Sequence, residues 1–250
     1  MTTLFAYANI RQPYPFAQLP AALIPDYLQQ IPHANARVQQ RHQCRRLAHF
    51  LLYQLLQQAN VDVQILKYLA RSATGRPFFP VNGLDFNMSH SDDWVAVALH
   101  MVEHGQSAVG IDIEFPKKTR NFTALLQHFA APSEQEWFAQ QDGSEAAFYQ
   151  IWCGREALLK SQGVGIVKLS EVCHDPIGLQ LHSTHCPPGQ LLFSAELPFY
   201  LALFISSSFS SVAHHVPCLA WNGEKLIEKD LHSPLIYAVN KNKNILPFSL

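Results

Sequence analysis

The sequence predicts an α+β protein made of two similar α/β halves. Two stretches of helical periodicity, 36–58 and 146–162, alternate with short apolar segments of strand character. Two of those segments, 94–99 (WVAVAL) and 199–205 (FYLALFI), each follow a turn and share an apolar pattern, which points toward one α/β unit occurring twice. Of the 250 residues 48% are hydrophobic and 15% charged, enough apolar material for a core, so disorder is excluded as the main state. The halves divide at 1–106 and 107–212, and a polar C-terminal extension, 213–250, carries no role legible in its residues.

The opening to about residue 35, rich in Pro, Gln and aromatic residues, reads as strand and loop. From about Ala36 to Gln58, Leu47, Phe50, Leu51 and Leu55 recur at helical spacing and bury one stripe. Arg37, Arg41 and Arg45 share another face, either solvated or turned toward an anion. Gly75-Arg76-Pro77 marks a turn, and Phe86 to His90 leads into a buried strand, Trp94 to Leu99. A second strand, Ser107 to Glu114, precedes a mixed loop and helix region to about Gln141 that holds Lys117, Lys118 and Arg120. The helix from about Ala146 to Gln162 stops at Gly163, the residue type suited to a left-handed cap. Short strands follow, clearest at 190–194 and 199–205.

Eighteen basic and nineteen acidic residues leave the chain almost neutral, which argues against a protein that coats nucleic acid. The balance hides an asymmetry. Residues 1–84 hold eight basic residues against Asp26 and Asp62 (net +6), and residues 85–250 hold ten basic and seventeen acidic (net −7). A basic half joined to an acidic half suits a site where one side holds an anion and the other a cation. The five cysteines are scattered and odd in number, consistent with free thiols in a reducing compartment. No basic region followed by an apolar stretch opens the chain, and Phe199 to Ile205 is far short of a membrane span. The expectation is a cytoplasmic monomer that binds neither nucleic acid nor membrane.

Three blocks carry chemistry. In Asp112-Ile113-Glu114 both carboxylates leave a strand on the same face while Ile113 turns to the core. Such a pair suits Mg²⁺, which keeps waters and takes further ligands from substrate phosphates, although the bare pattern also fits a solvated strand face. In Trp152-Cys-Gly-Arg-Glu156-Ala-Leu-Leu-Lys160, the residues Trp152, Glu156 and Lys160 stand one turn apart along one side of a helix. Glu156 and Lys160 form either a surface ion pair, or a metal carboxylate or general base with a cation for a leaving phosphate. Phe86-Asn-Met-Ser89-His90-Ser91 sets serine beside histidine, but neighbours on an extended chain face opposite ways and no nucleophile elbow is present. Its hydroxyls and imidazole, with nearby guanidinium groups, better suit binding of an anion such as phosphate. Cys173-His174-Asp175 with His182, His185 and Cys186 lacks the paired spacing of a zinc site, and His214-His215 reads as a surface pair.

Taken in order, GRP at 75–77, FNMSHS at 86–91, GIDIE at 110–114 and WCGREALLK at 152–160 resemble the signature of the 4′-phosphopantetheinyl transferases of the surfactin-synthetase type. Phe129 with Pro132-Ser-Glu134 and the Gly163-Val-Gly165 turn extend the resemblance, which covers about residues 36–172. Arg76 and Arg155 stand where lysine is usual, keeping the charge but not the geometry. The resemblance implies that family's pseudo-duplicated fold with the active site between the halves. The N-terminal half would bind the phosphates of coenzyme A and the C-terminal half would hold the metal and catalytic residues. It implies transfer of 4′-phosphopantetheine from coenzyme A to a serine of an apo acyl- or peptidyl-carrier protein, releasing 3′,5′-ADP.

By the same analogy Asp112, Glu114 and Glu156 hold Mg²⁺, Glu156 also acts as the base, and Lys160 serves the departing phosphate. Arg71, Arg76, Ser89, His90 and Lys160 contact the coenzyme. Lys117, Lys118 and Arg120 either meet the acidic surface of a carrier or form a solvated loop. Two competing readings are a coenzyme A-binding or carrier-docking protein without catalysis, and a metal-dependent nuclease or phosphatase. The intact Asp112, Glu114, Glu156 and Lys160 speak against the first, and the order of the blocks against the second.

Overall fold

The computed structural model describes residues 1–32, 35–117, 120–206 and 216–241, so Lys118 and the pair His214-His215 lie outside the described residues. Strand β1 (Thr2–Asn9) opens the chain, followed by α1 (Asp26–Gln29) and the long α2 (Ala36–Gln58), which Asn35 caps by accepting from Val38 N. A small ribbon of β2 (Ala70–Arg71) and β3 (Pro77–Phe78) leads into β4 (Leu84–Ser91) and β5 (Trp94–Met101). Next come β6 (Val109–Glu114), α3 (Phe122–Leu126), α4 (Pro132–Gln140) and α5 (Glu145–Ser161). A 3-10 turn (Ile166–Glu171) then precedes seven strands among the described residues: β7 (Cys173–Asp175), β8 (Gln180–His182), β9 (Gly189–Ser194), β10 (Tyr200–Ser206), β11 (Cys218–Trp221), β12 (Leu226–Lys229) and β13 (Leu235–Val239). The class is α+β. Among the described residues no helix is long and apolar enough to cross a membrane.

Five strands form one sheet, in the order β12-β11-β1-β5-β4, and six form another, β6-β10-β9-β13-β8-β7. The two-residue period of each strand decides what its faces bury. Leu4, Ala6, Val95, Val97 and Leu99 pack on α2 through its stripe of Leu47, Phe50, Leu51 and Leu55. Their neighbours Phe5, Tyr7, Ala96 and Ala98 turn the other way and meet Ile111, Ile113, Leu201 and Leu203 of the second sheet. On that sheet's far face Ala202 and Phe204 join Phe148, Ala157 and Leu158 of α5. The layers therefore run helix, sheet, sheet, helix. Each fully buried Leu, Ile or Phe in them contributes about 1.5–3 kcal/mol.

Of the segment 213–250, expected as an appended extension, the described residues 216–241 are woven into both sheets. β11 pairs in parallel with β1, Phe5 opposite Cys218, and β13 pairs antiparallel with β9, Leu235 opposite Phe193. Its strands are four or five residues long, too short for a periodicity to stand out. Residues 86–90, expected only to lead into a strand, lie within the eight-residue β4.

Candidate active site

The sheets also meet edge to edge, where β4 ends one and β6 ends the other. Pleating sends Leu84, Phe86 and Met88 into the α2 core and turns Asp85, Asn87, Ser89 and Ser91 toward β6. Each of these four accepts a backbone N–H: Asp85 from Val109 (2.9 Å), Asn87 from Ile111 (3.1 Å), Ser89 from Ile113 (3.3 Å) and Ser91 from Phe115 (3.0 Å). The constant separation of 24 residues defines a parallel zipper in which side chains replace the backbone partners an edge strand lacks. Burial pushes the Asp85 carboxyl up, and Arg76 opposes that by donating to it at 2.7 Å. The same guanidinium also donates to the carbonyls of Phe86, Val109 and Lys160.

The zipper aims Asp112 and Glu114 at α5. Gly110 shares their face of β6, and a Cβ there would lie 1.9 Å from the Ala157 carbonyl oxygen, so only glycine lets the helix come this close. Lys160 Nζ donates to Asp112 Oδ1 at 2.5 Å and to Ser89 Oγ at 3.2 Å, and stands 3.8 Å from Glu156 Oε2. The two zipper serines pass their own protons on, Ser89 to Asp112 at 3.2 Å and Ser91 to Glu114 at 2.9 Å. Strand and helix thus bring Asp112, Glu114, Glu156 and Lys160 into one cluster, with Ser89 inside it.

The electrostatics record an excess of negative charge. Burial, then Asp112 and Glu114, push Glu156 up to about 7 against the pull of Lys160. Burial and Asp112 also raise Glu114. Burial works against the Lys160 ammonium, but Asp112 and Glu156 prevail and hold its pKa above the ordinary value. The enclosed Cys153 stays a neutral thiol, raised well up by burial and then by Asp112 and Glu114. Asp112 Oδ2 is buried without a hydrogen-bond partner.

Among the described residues no three His, Cys, Asp or Glu side chains enclose a metal by themselves, and Lys160 lies between Asp112 and Glu156. The donor chemistry nevertheless fits Mg²⁺, which takes few protein carboxylates and fills its shell with water and phosphate oxygen. The unpartnered Asp112 oxygen and the raised Glu114 and Glu156 are what such an ion would relieve.

His90 points away from Ser89 and is exposed. Partial desolvation, then the charges of Lys160, Arg41 and Arg45, lower its pKa, so the exposed arginine face of α2 lies on the His90 side of β4. Arg71 is exposed and donates to the Gly75 carbonyl at 2.9 Å and the Tyr27 hydroxyl at 3.3 Å. Ser89 and Arg76, expected to grip phosphates, have their polar atoms committed to protein partners. They hold β4, β6 and α5 together.

Comparison with known proteins places the chain. Residues 108–205 match the family model of the 4′-phosphopantetheinyl transferase superfamily. A Haemophilus influenzae protein assigned to the 4′-phosphopantetheinyl transferases is 51% identical over 240 residues, 96% of this chain and all of that relative. The chain belongs to the 4′-phosphopantetheinyl transferase superfamily. The transferase HetI of a Nostoc species is 32% identical over 96 residues, 38% of this chain and 39% of its own. The 4′-phosphopantetheinyl transferase of Bacillus subtilis is 26% identical over 140 residues, 52% of this chain and 58% of its own. The superfamily match runs from β6 to β10 and contains Asp112, Glu114, Glu156 and Lys160.

Two further motif residues of this transferase, Arg155 and Glu134, tie α5, α4 and β7 together. Arg155 is fully buried, paired with Glu134 at 2.5 Å, donates to the Leu169 carbonyl at 3.1 Å, and lies over the Phe129 ring. Glu134 also accepts from Ala131 N at the start of α4 and bonds His174 Nδ1 at 3.0 Å. Although burial opposes it, His174 and Arg155 draw the Glu134 carboxyl down to about 2. The Cys/His cluster resolves into separate roles, with His174 serving Glu134, His185 bonded to Glu171 at 2.6 Å, and all five cysteines free.

Proposed function

We propose that this transferase moves 4′-phosphopantetheine from coenzyme A to a serine of an apo acyl- or peptidyl-carrier protein, with Mg²⁺, and releases 3′,5′-ADP. The observation that carries the reading is the single cluster of Asp112, Glu114, Glu156 and Lys160, with its unpartnered Asp112 oxygen. Asp112, Glu114 and Glu156 would hold Mg²⁺, which when bound neutralises the pyrophosphate of the donor. The seryl Oγ forms a bond to the phosphorus that carries pantetheine, and the bond from that phosphorus to the oxygen of 3′,5′-ADP breaks. Glu156, directly or through water, takes the seryl proton. Lys160 stabilises or protonates the departing phosphate oxygen. Such displacement needs positioning and charge neutralisation more than covalent help from the protein.

In this reading His90, Arg71 and the exposed Arg41 and Arg45 receive the phosphates of the coenzyme. Ser89 and Arg76 act on it through the elements they tie. Lys117 is exposed and paired with Asp92 at 2.6 Å, and Arg120 is exposed near Glu114, a basic rim suited to an acidic carrier. The five free cysteines fit a cytoplasmic protein, taken here as a monomer of two halves, 1–106 and 107–212.

The test incubates the protein with coenzyme A, Mg²⁺ and a panel of apo carriers, and reads carrier mass. A gain of one phosphopantetheine is expected, lost in Asp112→Ala and in Glu156→Ala. Unchanged mass across the panel, with a validated transferase succeeding in parallel, would overturn the reading. Coenzyme A binding without turnover would favour a binding protein in its place.

A further inference from the structure

Asn87 lies buried in the middle of β4 and touches both elements that carry the charged cluster. Its side-chain oxygen accepts from Ile111 N at 3.1 Å, one residue before Asp112, and its amide nitrogen donates to the Lys160 carbonyl at 3.2 Å. Only this orientation of the amide satisfies both partners, since one is a donor and the other an acceptor. The next inward residue of the same strand, Ser89, receives the ammonium of that lysine at 3.2 Å. Inward residues of a strand recur about every 6.5 Å, close to the reach of an extended lysine side chain. Successive inward residues of one strand therefore hold Lys160 at its root and its tip.

We propose that Asn87 is a positioning residue for phosphopantetheinyl transfer. It comes from the first half and ties the strand that presents Asp112 to the last turn of α5, so that Lys160 and Asp112 keep their 2.5 Å contact while substrates enter and leave. Arg76 Nε and Gly163 N donate to the same carbonyl at 3.1 Å. Neither also accepts the Ile111 N–H: Gly163 N does not reach β6, and Arg76 ties that carbonyl to β6 at Val109, three residues before Asp112. The inference rests on the role given to Lys160 above.

The decisive variant is Asn87→Asp. It is isosteric and keeps the acceptor for Ile111 N, but it turns an oxygen toward the Lys160 carbonyl. Asn87→Ala, which adds no charge, carries the same expectation should the aspartate variant fold poorly. Transfer to an apo carrier is followed by mass spectrometry, with melting temperature read alongside. The expected result is a kcat lowered at least about tenfold, with KM for coenzyme A near that of the parent and a protein that, although its melting temperature falls, is still fully folded at the assay temperature.

In a Lys160→Ala background the same substitution should change the residual rate by less than about twofold, because a residue acting through Lys160 has nothing left to position. A parental kcat in Asn87→Asp, or an equal tenfold loss with and without Lys160, overturns the assignment. If Lys160→Ala itself keeps the parental kcat, the catalytic reading falls and the inference with it. If Lys160→Ala is impaired and Asn87→Asp is not, only the Asn87 assignment falls.

Discussion

Replacing Gly110 by alanine tests whether the β6–α5 approach sets the site. The added methyl would lie 1.9 Å from the Ala157 carbonyl oxygen and 2.9 Å from Ser161 N, both backbone atoms that no rotamer change can move. Restoring a contact near the ~3.5 Å optimum requires α5 to retreat by roughly 1.5 Å. Ala157 adjoins Glu156, and Ser161 adjoins Lys160, so the retreat opens the 2.5 Å contact between Lys160 and Asp112. Overpacking of this kind costs about 1–3 kcal/mol, a fall of several degrees in Tm for a chain of this size. A misplacement of about 1 Å is worth about a hundredfold in rate, so kcat should fall by that order. Gly154→Ala is the control on the same helix, where a methyl would meet only Leu181 Cδ1, at 3.9 Å. Alanine also favours a helix interior by up to ~1 kcal/mol over glycine, so that variant should be neutral or stabilised and fully active. The assay is carrier mass against time, with Tm from circular dichroism. A Gly110→Ala protein with parental Tm and kcat within about twofold would refute the claim that close approach sets the geometry.

Four further outcomes follow from the buried titratable groups. Arg155→Met leaves Glu134 charged and buried beside His174 and should cost about 3–5 kcal/mol by urea denaturation, more than Arg155→Met with Glu134→Gln together. Glu156 titrates at about 7 in the fold against 4.5 otherwise, so its contribution to stability is lost as pH rises through that window. Glu156→Gln should therefore gain Tm over the parent increasingly from pH 5 to 8 in EDTA while losing transfer. Mg²⁺ at pH 8 should raise the Tm of the parent and leave Asp112→Asn unmoved. His100 is fully buried and held neutral, its pKa lowered to about 4 from 6.5 by burial. Its contribution, about 3 kcal/mol at most, is present above pH 6.5 and lost as pH falls toward 4, so the deficit of His100→Gln should be larger at pH 7.5 than at pH 4.5. The Glu156 and His100 slopes oppose each other, so each is read as a difference from the parent.

The sequence made the long elements legible because each carries a full stripe. α2 spans Ala36–Gln58 and α5 spans Glu145–Ser161, close to the periodic stretches, and Gly163 takes the left-handed φ of +68° expected of a cap. The charged residues on one helix side and one strand face were legible for the same reason, since spacing fixes direction within an element. What spacing does not encode is the distance between elements. Nothing in the residues of β4 says which strand its polar side faces, so Asp85, Asn87 and Ser91 were missed as a set. Their alternation with Leu84, Phe86 and Met88 was the available signal, because a strand with a wholly polar inward side must answer another strand's backbone. The packing of Arg76 and Arg155 was not legible from their charge. A guanidinium offers five donors, and in both cases carbonyls and a carboxylate from neighbouring elements take them up.

The charge asymmetry between the halves takes its useful form on β4. That strand separates two environments by the pleat alone. Ser89 faces inward to Asp112 and Lys160, while the adjacent His90 faces outward to the side of Arg41 and Arg45. A shift of one residue in register would exchange these environments, setting His90 beside the carboxylates and leaving Asp112 and Lys160 without their shared hydroxyl. A conventional backbone ladder between β4 and β6 would fix register by hydrogen bonding that any residue can supply. The side-chain zipper fixes it only for residues with an acceptor at 85, 87, 89 and 91, so the residues that present the site also specify how the halves join. On the proposed function, binding of an anion on one side of the strand and a cation on the other would depend on the same four side chains that close the seam.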